Sequence, residues 1–211
     1  MGKLTIEGKA SREFQYDLME ISLKFWAKEG STTAALKKIT QQSEEFLAIM
    51  DSTGIKIEEF RIRKDSVENE KYSDKFSVKG ERELSICIPF NMDFLNYIRD
   101  IIQKKAFDAE IDTTYKFSDI EKIHKELIRM ALLDAKEKAE CIAQTMGQKV
   151  MGVQSVVIGE SRLKSLISRS NKTATEESMD CYDSLLNILS RRVQAPVTTE
   201  SETVQVEWLI E

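Results

Sequence analysis

The sequence has one histidine, His124, with no second histidine or cysteine near it at ligand spacing. A conventional zinc site needs three or four such donors, which argues against one here. A Ser-His-acid triad would have to pass through His124, and no nucleophile-elbow motif accompanies it. His124 therefore reads as a surface residue on a helix between charged neighbours. Cysteine is sparse as well. Cys87, Cys141 and Cys181 lie far apart, odd in number and without a C-x-x-C pair, which excludes a disulfide framework. Cys87 and Cys141 fall in regular elements and are expected to pack as small apolar side chains. Cys181 falls in a weaker, more exposed stretch, where oxidation is easiest. The eight glycines are scattered, and neither GxGxxG nor GxxxxGK[ST] occurs, so nucleotide chemistry has no local support. No stretch approaches the ~20 apolar residues of a membrane-spanning helix. No leader precedes the first strand, so the expected compartment is the cytoplasm; a periplasmic or extracytoplasmic location is the alternative if a leader has been removed. The net charge of −5 argues against a dedicated nucleic-acid binder. Arg61, Arg63 and Lys64 are interleaved with Asp65, Glu68 and Glu70, as on a solvated strand face.

What is present is enough apolar residue, 41% of 211, to build a sizeable core. Leu4, Ile6 and Gly8 alternate with polar residues as a short first strand. Met19, Ile21, Leu23, Phe25 and Ala27 mark a second, with Trp26 on its polar side. Gly30 to Thr33 breaks that strand and caps a helix carrying Leu36, Ile39, Ser43, Phe46, Leu47 and Met50. Residues 55–63 read as a strand with a bulge between Ile57 and Phe60, returning through Phe76, Val78, Leu84, Ile86 and Ile88. Asn91 caps a second helix. Phe107, Ala109, Ile111, Thr113, Tyr115 and Phe117 form a further strand stripe. Ser118 to Glu121 is a capping-box pattern opening a long helix, from about Asp119 to Met146. Its apolar stripe is Ile123, Leu127, Met130, Ala131, Ala135, Ala139, Ile142 and Met146. Gly147 ends it. Residues 150–158 are mostly apolar, as in a well-buried strand. Residues 161–201 read as a variable, partly mobile arm, with Met179 to Leu189 as a short amphipathic segment. Val204, Val206, Trp208 and Ile210 close the chain as a strand. The order ββαββαβαβ-loop-β predicts an α+β fold in a single domain, 1–211. Largely antiparallel sheets pack with two shorter helices and one long Ala-rich helix.

One carboxylate cluster stands out. Asp108, Glu110 and Asp112 alternate along one predicted strand and should share a face. Such a row suits a hard cation, and equally a solvated outer face or an edge guarded against pairing. Gly152, Gly159 and Glu160 bracket the strand after the long helix, where Gly152 marks either a close backbone approach or a bulge.

Three blocks resemble the SIMPL-domain family, which includes proteins described as oxidative-stress-defence and periplasmic immunogenic proteins. The first is Ile6-Glu7-Gly8-Lys9-Ala10 with Asp17 and the strand over 19–27. The second runs from Ala131 to Glu140 through Ala143 and Gly147 to Gly152 and Glu160. The third is Pro196 with the strand over 204–210. Tyr16-Asp17 stands where the family often has Pro-Asp. The resemblance implies ring- or barrel-like homo-oligomers and a link to oxidative or envelope stress, with no established reaction. The leading expectation is a non-catalytic, self-assembling structural or interaction protein with a homo-oligomeric or other protein partner. A small-molecule or cation-binding module, using a pocket between sheet and long helix, is the alternative. A cryptic enzyme is the third. No catalytic, cofactor-binding or metal-binding residue is assigned.

Overall fold

A computed structural model describes residues 2–72, 75–159, 163 and 194–211. The elements are β1 (Gly2–Gln15), β2 (Leu18–Glu29), α1 (Thr32–Ser52), β3 (Arg61–Tyr72), β4 (Lys75–Pro89), α2 (Met92–Lys105), β5 (Ala109–Lys116), α3 (Ile120–Thr145), β6 (Val150–Ile158) and β7 (Val197–Ile210). The α+β class and the order of elements are those expected. Contacts divide the described residues into two compact units, one holding β1, α3, β6 and β7, the other β2 through β5 with α1 and α2.

In the first unit β7 is the middle strand of an antiparallel sheet ordered β1-β7-β6. Helix α3 lies on one face and buries Leu127, Ala131, Ala135, Ala139 and Ala143, an unbroken i, i+4 ridge. The ridge passes through Ala143, so Ile142 and Met146, expected on the stripe, are exposed. Small side chains bring the helix backbone close to the sheet, and Gly8 on β1 sets the limit. A Cβ there would stand 2.0 Å from the Ala131 carbonyl oxygen and 2.8 Å from the Ala135 Cβ. The helix starts on Asp119, whose Oδ1 accepts the Lys122 N–H at 2.8 Å, one residue later than the Ser118 capping box predicts. Gly147 follows its last turn at φ +70, a conformation that suits glycine.

In the second unit the sheet is ordered β3-β4-β2-β5, all antiparallel. One face carries Met19, Ile21, Leu23, Phe25, Leu84, Ile86 and Ile88, packed with Phe46 and Met50 of α1 and Phe94, Leu95 and Ile98 of α2. Both helices have side-chain caps: Ser31 Oγ accepts from Ala34 N–H at 3.3 Å, and Asn91 Oδ1 from Phe94 N–H at 3.0 Å. Leu36, expected on the inner face of α1, is exposed; Ala35 takes its place. Residues 57–59 form a single 3-10 turn, and the β3–β4 register shift falls later, between Ile62 and Lys64.

Three further expectations are corrected. β1 spans 14 residues rather than a short run, because the whole of it pairs with β7. β7 begins at Val197, so 197–201 belong to that strand and not to the arm over 161–201. The rest of that arm, apart from Leu163 and residues 194–196, lies outside the described residues, with Cys181, Glu160 and the segment 179–189. Finally, β6 is an exposed edge strand and not a well-buried one.

Candidate functional site

In the second unit the sheet face away from the helices is built from ion pairs. Glu81, buried at 7% exposure, sits 3.0 Å from Lys64, 3.5 Å from Lys24 and 3.6 Å from Lys79. Burial pushes its carboxyl up, but the Lys64 hydrogen bond and the charges of Lys24 and Lys64 outweigh it and hold Glu81 below the ordinary range. Glu20 is likewise desolvated and likewise held low, by Lys116 at 2.8 Å and by Arg63. The expectation that Arg63 and Lys64 lie on a solvated strand face is sharpened: they hold buried or half-buried acids on neighbouring strands.

The carboxylate row is broken. Glu110 and Asp112 point outward from β5, whereas Asp108 precedes the strand and turns to α1. There it meets Lys38 at 3.1 Å and Gln42 at 3.4 Å. The three do not share a face, because the alternation that would align them begins only at Ala109. Cys87 and Cys141 are free thiols with exposed side chains, not core packing as expected. The strand surroundings still desolvate Cys87 and push its thiol up, against Lys116.

In the first unit, His124 is not the surface residue expected. Its Nδ1 lies 2.7 Å from Glu202 Oε1, with the Glu202 side chain fully enclosed. The α3-facing row of β7 reads Glu200, Glu202, Val204, Val206, Trp208, Ile210, all buried. Its acidic end lies near the start of α3, where the helix dipole favours anions. Glu200 also accepts from Thr198 Oγ1 at 3.3 Å. This pairing ties the helix to the sheet. Sequence reading missed it because the partner acid is 78 residues away, between the segment assigned to the arm and the final strand stripe.

The same unit carries an exposed apolar surface. β6, VMGVQSVVI, contains no charged residue, and Met151, Val153, Val156, Val157 and Ile158 are exposed, Val157 by 59%. Register shifts flank Met151 and Gln154, so Gly152 adjoins a bulge; nothing lies within 4 Å of where its Cβ would be, which settles its two readings. Between β6 and α3 is an open cavity of about 360 Å³ lined by Leu132, Leu133, Val153, Val156, Val206 and Trp208, with Arg129 and Lys136. Arg129, Leu132, Leu133 and Lys136 stand at i, i+3, i+4, i+7, one face of α3 beside the alanine ridge. The Trp208 indole Nε1 is buried and has no hydrogen-bond partner among the described residues. The sequence does hold a signal for this face: two consecutive leucines off the alanine stripe, flanked by cations at helical spacing.

Among the described residues, no set of three or more His, Cys, Asp or Glu side chains gathers as metal ligands. No described helix is long and apolar enough to cross a membrane. The model of the family described as "SIMPL: Protein of unknown function (DUF541)" matches residues 4–208. No curated protein matches the chain significantly.

Proposed function

The chain belongs to the SIMPL family, and from that premise we propose that it is a non-catalytic interaction protein that assembles with copies of itself through β6. The observation that carries this is the contrast among the four sheet edges of the described residues. β1 bears Lys3, Glu7, Lys9, Arg12 and Glu13; β3 bears Arg61, Arg63, Lys64, Asp65 and Glu68; β5 bears Glu110, Asp112 and Lys116. Charged residues of this kind guard an edge against pairing. β6 alone has none, and it adds a row of exposed apolar side chains. A neutral strand meets its own copy across a two-fold axis without opposing like charges. The bulges limit regular backbone pairing to 155–158, so burial of Met151, Val157 and Ile158 carries the rest of the contact.

The test is mass in solution by light scattering across a concentration series, for the native chain and for Val157→Lys. The native chain is expected as a defined oligomer and the variant as a smaller species with unchanged circular dichroism. A native chain that stays monomeric at high concentration refutes the proposal. The link to oxidative or envelope stress forms part of the same reading, and peroxide survival of cells carrying Val157→Lys tests it; survival equal to that with the native chain would separate the assembly from that role. A second reading, a small-molecule-binding module, is favoured by the cavity beside α3. Its cation version loses its basis with the scattering of Asp108, Glu110 and Asp112.

A further inference from the structure

We infer that the cavity between α3 and β6–β7 binds a small amphipathic carboxylate, with its apolar body among Leu132, Leu133, Val156 and Trp208 and its charge on Arg129. At about 360 Å³ the cavity falls in the range of small-ligand pockets. Its walls are aliphatic or aromatic, and among the described residues the charged ones lining it are the cations Arg129 and Lys136. No described acid lines it, so among the described residues a cation-bearing ligand meets only like charge, whereas an anion meets both cations. Arg129 has no ion-pair partner among the described residues, and its planar fork suits a carboxylate in a two-pronged contact. Among the described residues Lys136 is held by Glu140 at 3.7 Å, an exposed i, i+4 pair that competes weakly.

An independent observation points the same way. The Trp208 Nε1 is a buried donor with no partner among the described residues, on a side chain that lines the cavity. Leaving such a donor unmatched carries the full penalty of its lost hydration. An acceptor oxygen brought in by a ligand, after a small shift of the ring, relieves that cost. The apolar walls supply affinity and the cations supply sign selection. The inference concerns a site inside one unit and does not rest on self-assembly.

Decanoate is the probe, well below its micelle concentration, with decanol and decyltrimethylammonium as neutral and cationic controls of equal chain length. The protein is the full chain carrying Trp26→Phe, so that Trp208 is the only tryptophan reporting. Decanoate is expected to change Trp208 fluorescence saturably with one site per chain. Decanol binds at least tenfold more weakly and the cation not at all. Arg129→Glu, at an exposed position, raises the decanoate Kd at least tenfold and leaves decanol unchanged. Val156→Trp, which fills the cavity, abolishes the signal. The idea is overturned by a linear, non-saturating response, by equal affinity for the three probes, or by an Arg129→Glu variant that binds decanoate like the native chain. Light scattering on the same samples keeps the two proposals apart: a monomer that binds decanoate retains this one and removes self-assembly.

Discussion

Gly8→Ala tests the closest contact in the first unit. The added Cβ would lie 2.0 Å from the Ala131 carbonyl oxygen, whereas ordinary contact begins at 3.4 Å. The opposing atom is helix backbone, so no rotamer change relieves it, and α3 must lift by more than ~1 Å or β1 must sink. A gap of 0.5–1 Å already forfeits about a quarter to a half of the dispersion attraction between facing atoms. The helix loses that along Leu127, Ala131, Ala135, Ala139 and Ala143, all fully buried or nearly so. Overpacking of this kind costs about 3 kcal/mol, or roughly 6–12 °C in Tm for a chain of this length. Urea unfolding followed by Trp208 fluorescence in a Trp26→Phe background reports the first unit by itself. Gly152→Ala is the control, with nothing near its Cβ, and should stay within about 0.5 kcal/mol of native. Ala135→Gly should rescue Gly8→Ala only slightly, because the 2.0 Å clash is with backbone. A Gly8→Ala cost below about 0.5 kcal/mol would show that the helix does not sit this close to β1.

His124→Ala removes the 2.7 Å partner of an enclosed carboxylate and should cost about 1–3 kcal/mol; a double-mutant cycle with Glu202→Gln should show coupling, and strict additivity would deny the pair. Acid should destabilise the second unit. Glu20 and Glu81 are held below the ordinary value of 4.5, so their stabilisation is full above that pH and is lost as the pH falls through their lowered values. Urea midpoints followed through Trp26 should therefore fall below pH 4.5, and Lys64→Met should flatten that fall; a midpoint independent of pH would refute it. In a Cys181→Ser background, Cys87 and Cys141 should both react with a thiol reagent without denaturant, as both are exposed. Cys87 should respond to rising pH later than an ordinary thiol, because its own is pushed up.

Period-two and helical spacing made the second unit readable. Met19 to Ala27 and Leu84 to Ile88 alternate cleanly because one face meets helices and the other meets water. Ser31 and Asn91 announced their helices because a cap is local chemistry. What stayed hidden depended on distant partners. Nothing near Glu202 in the chain says that it lies under His124. Nothing in Asp108 tells that it turns toward Lys38 while Glu110 turns away. β6 misled for a definite reason: a mostly apolar, uncharged run is what a strand covered on both faces looks like, and it is also what an intermolecular edge looks like. The sequence carries no term for whether the cover comes from the same chain.

That ambiguity bears on function. Exposed Met151, Val153, Val156, Val157 and Ile158 on an edge without a charge are an aggregation hazard for a chain working alone. The other three edges show that charges suffice as a guard in this same chain. A single lysine in place of Val157 would provide that guard at little cost to the fold, since the side chain is more than half exposed. The bulges at Met151 and Gln154 provide part of the protection by breaking the ladder, but they leave the side chains in view. A surface left apolar where one substitution would make it safe is best understood as a surface in use. On the two proposals made above, the cavity beside it, flanked by Arg129 and Lys136, would separate two uses on one unit: neutral β6 for a copy of the chain, and the cation-flanked cleft for an anion.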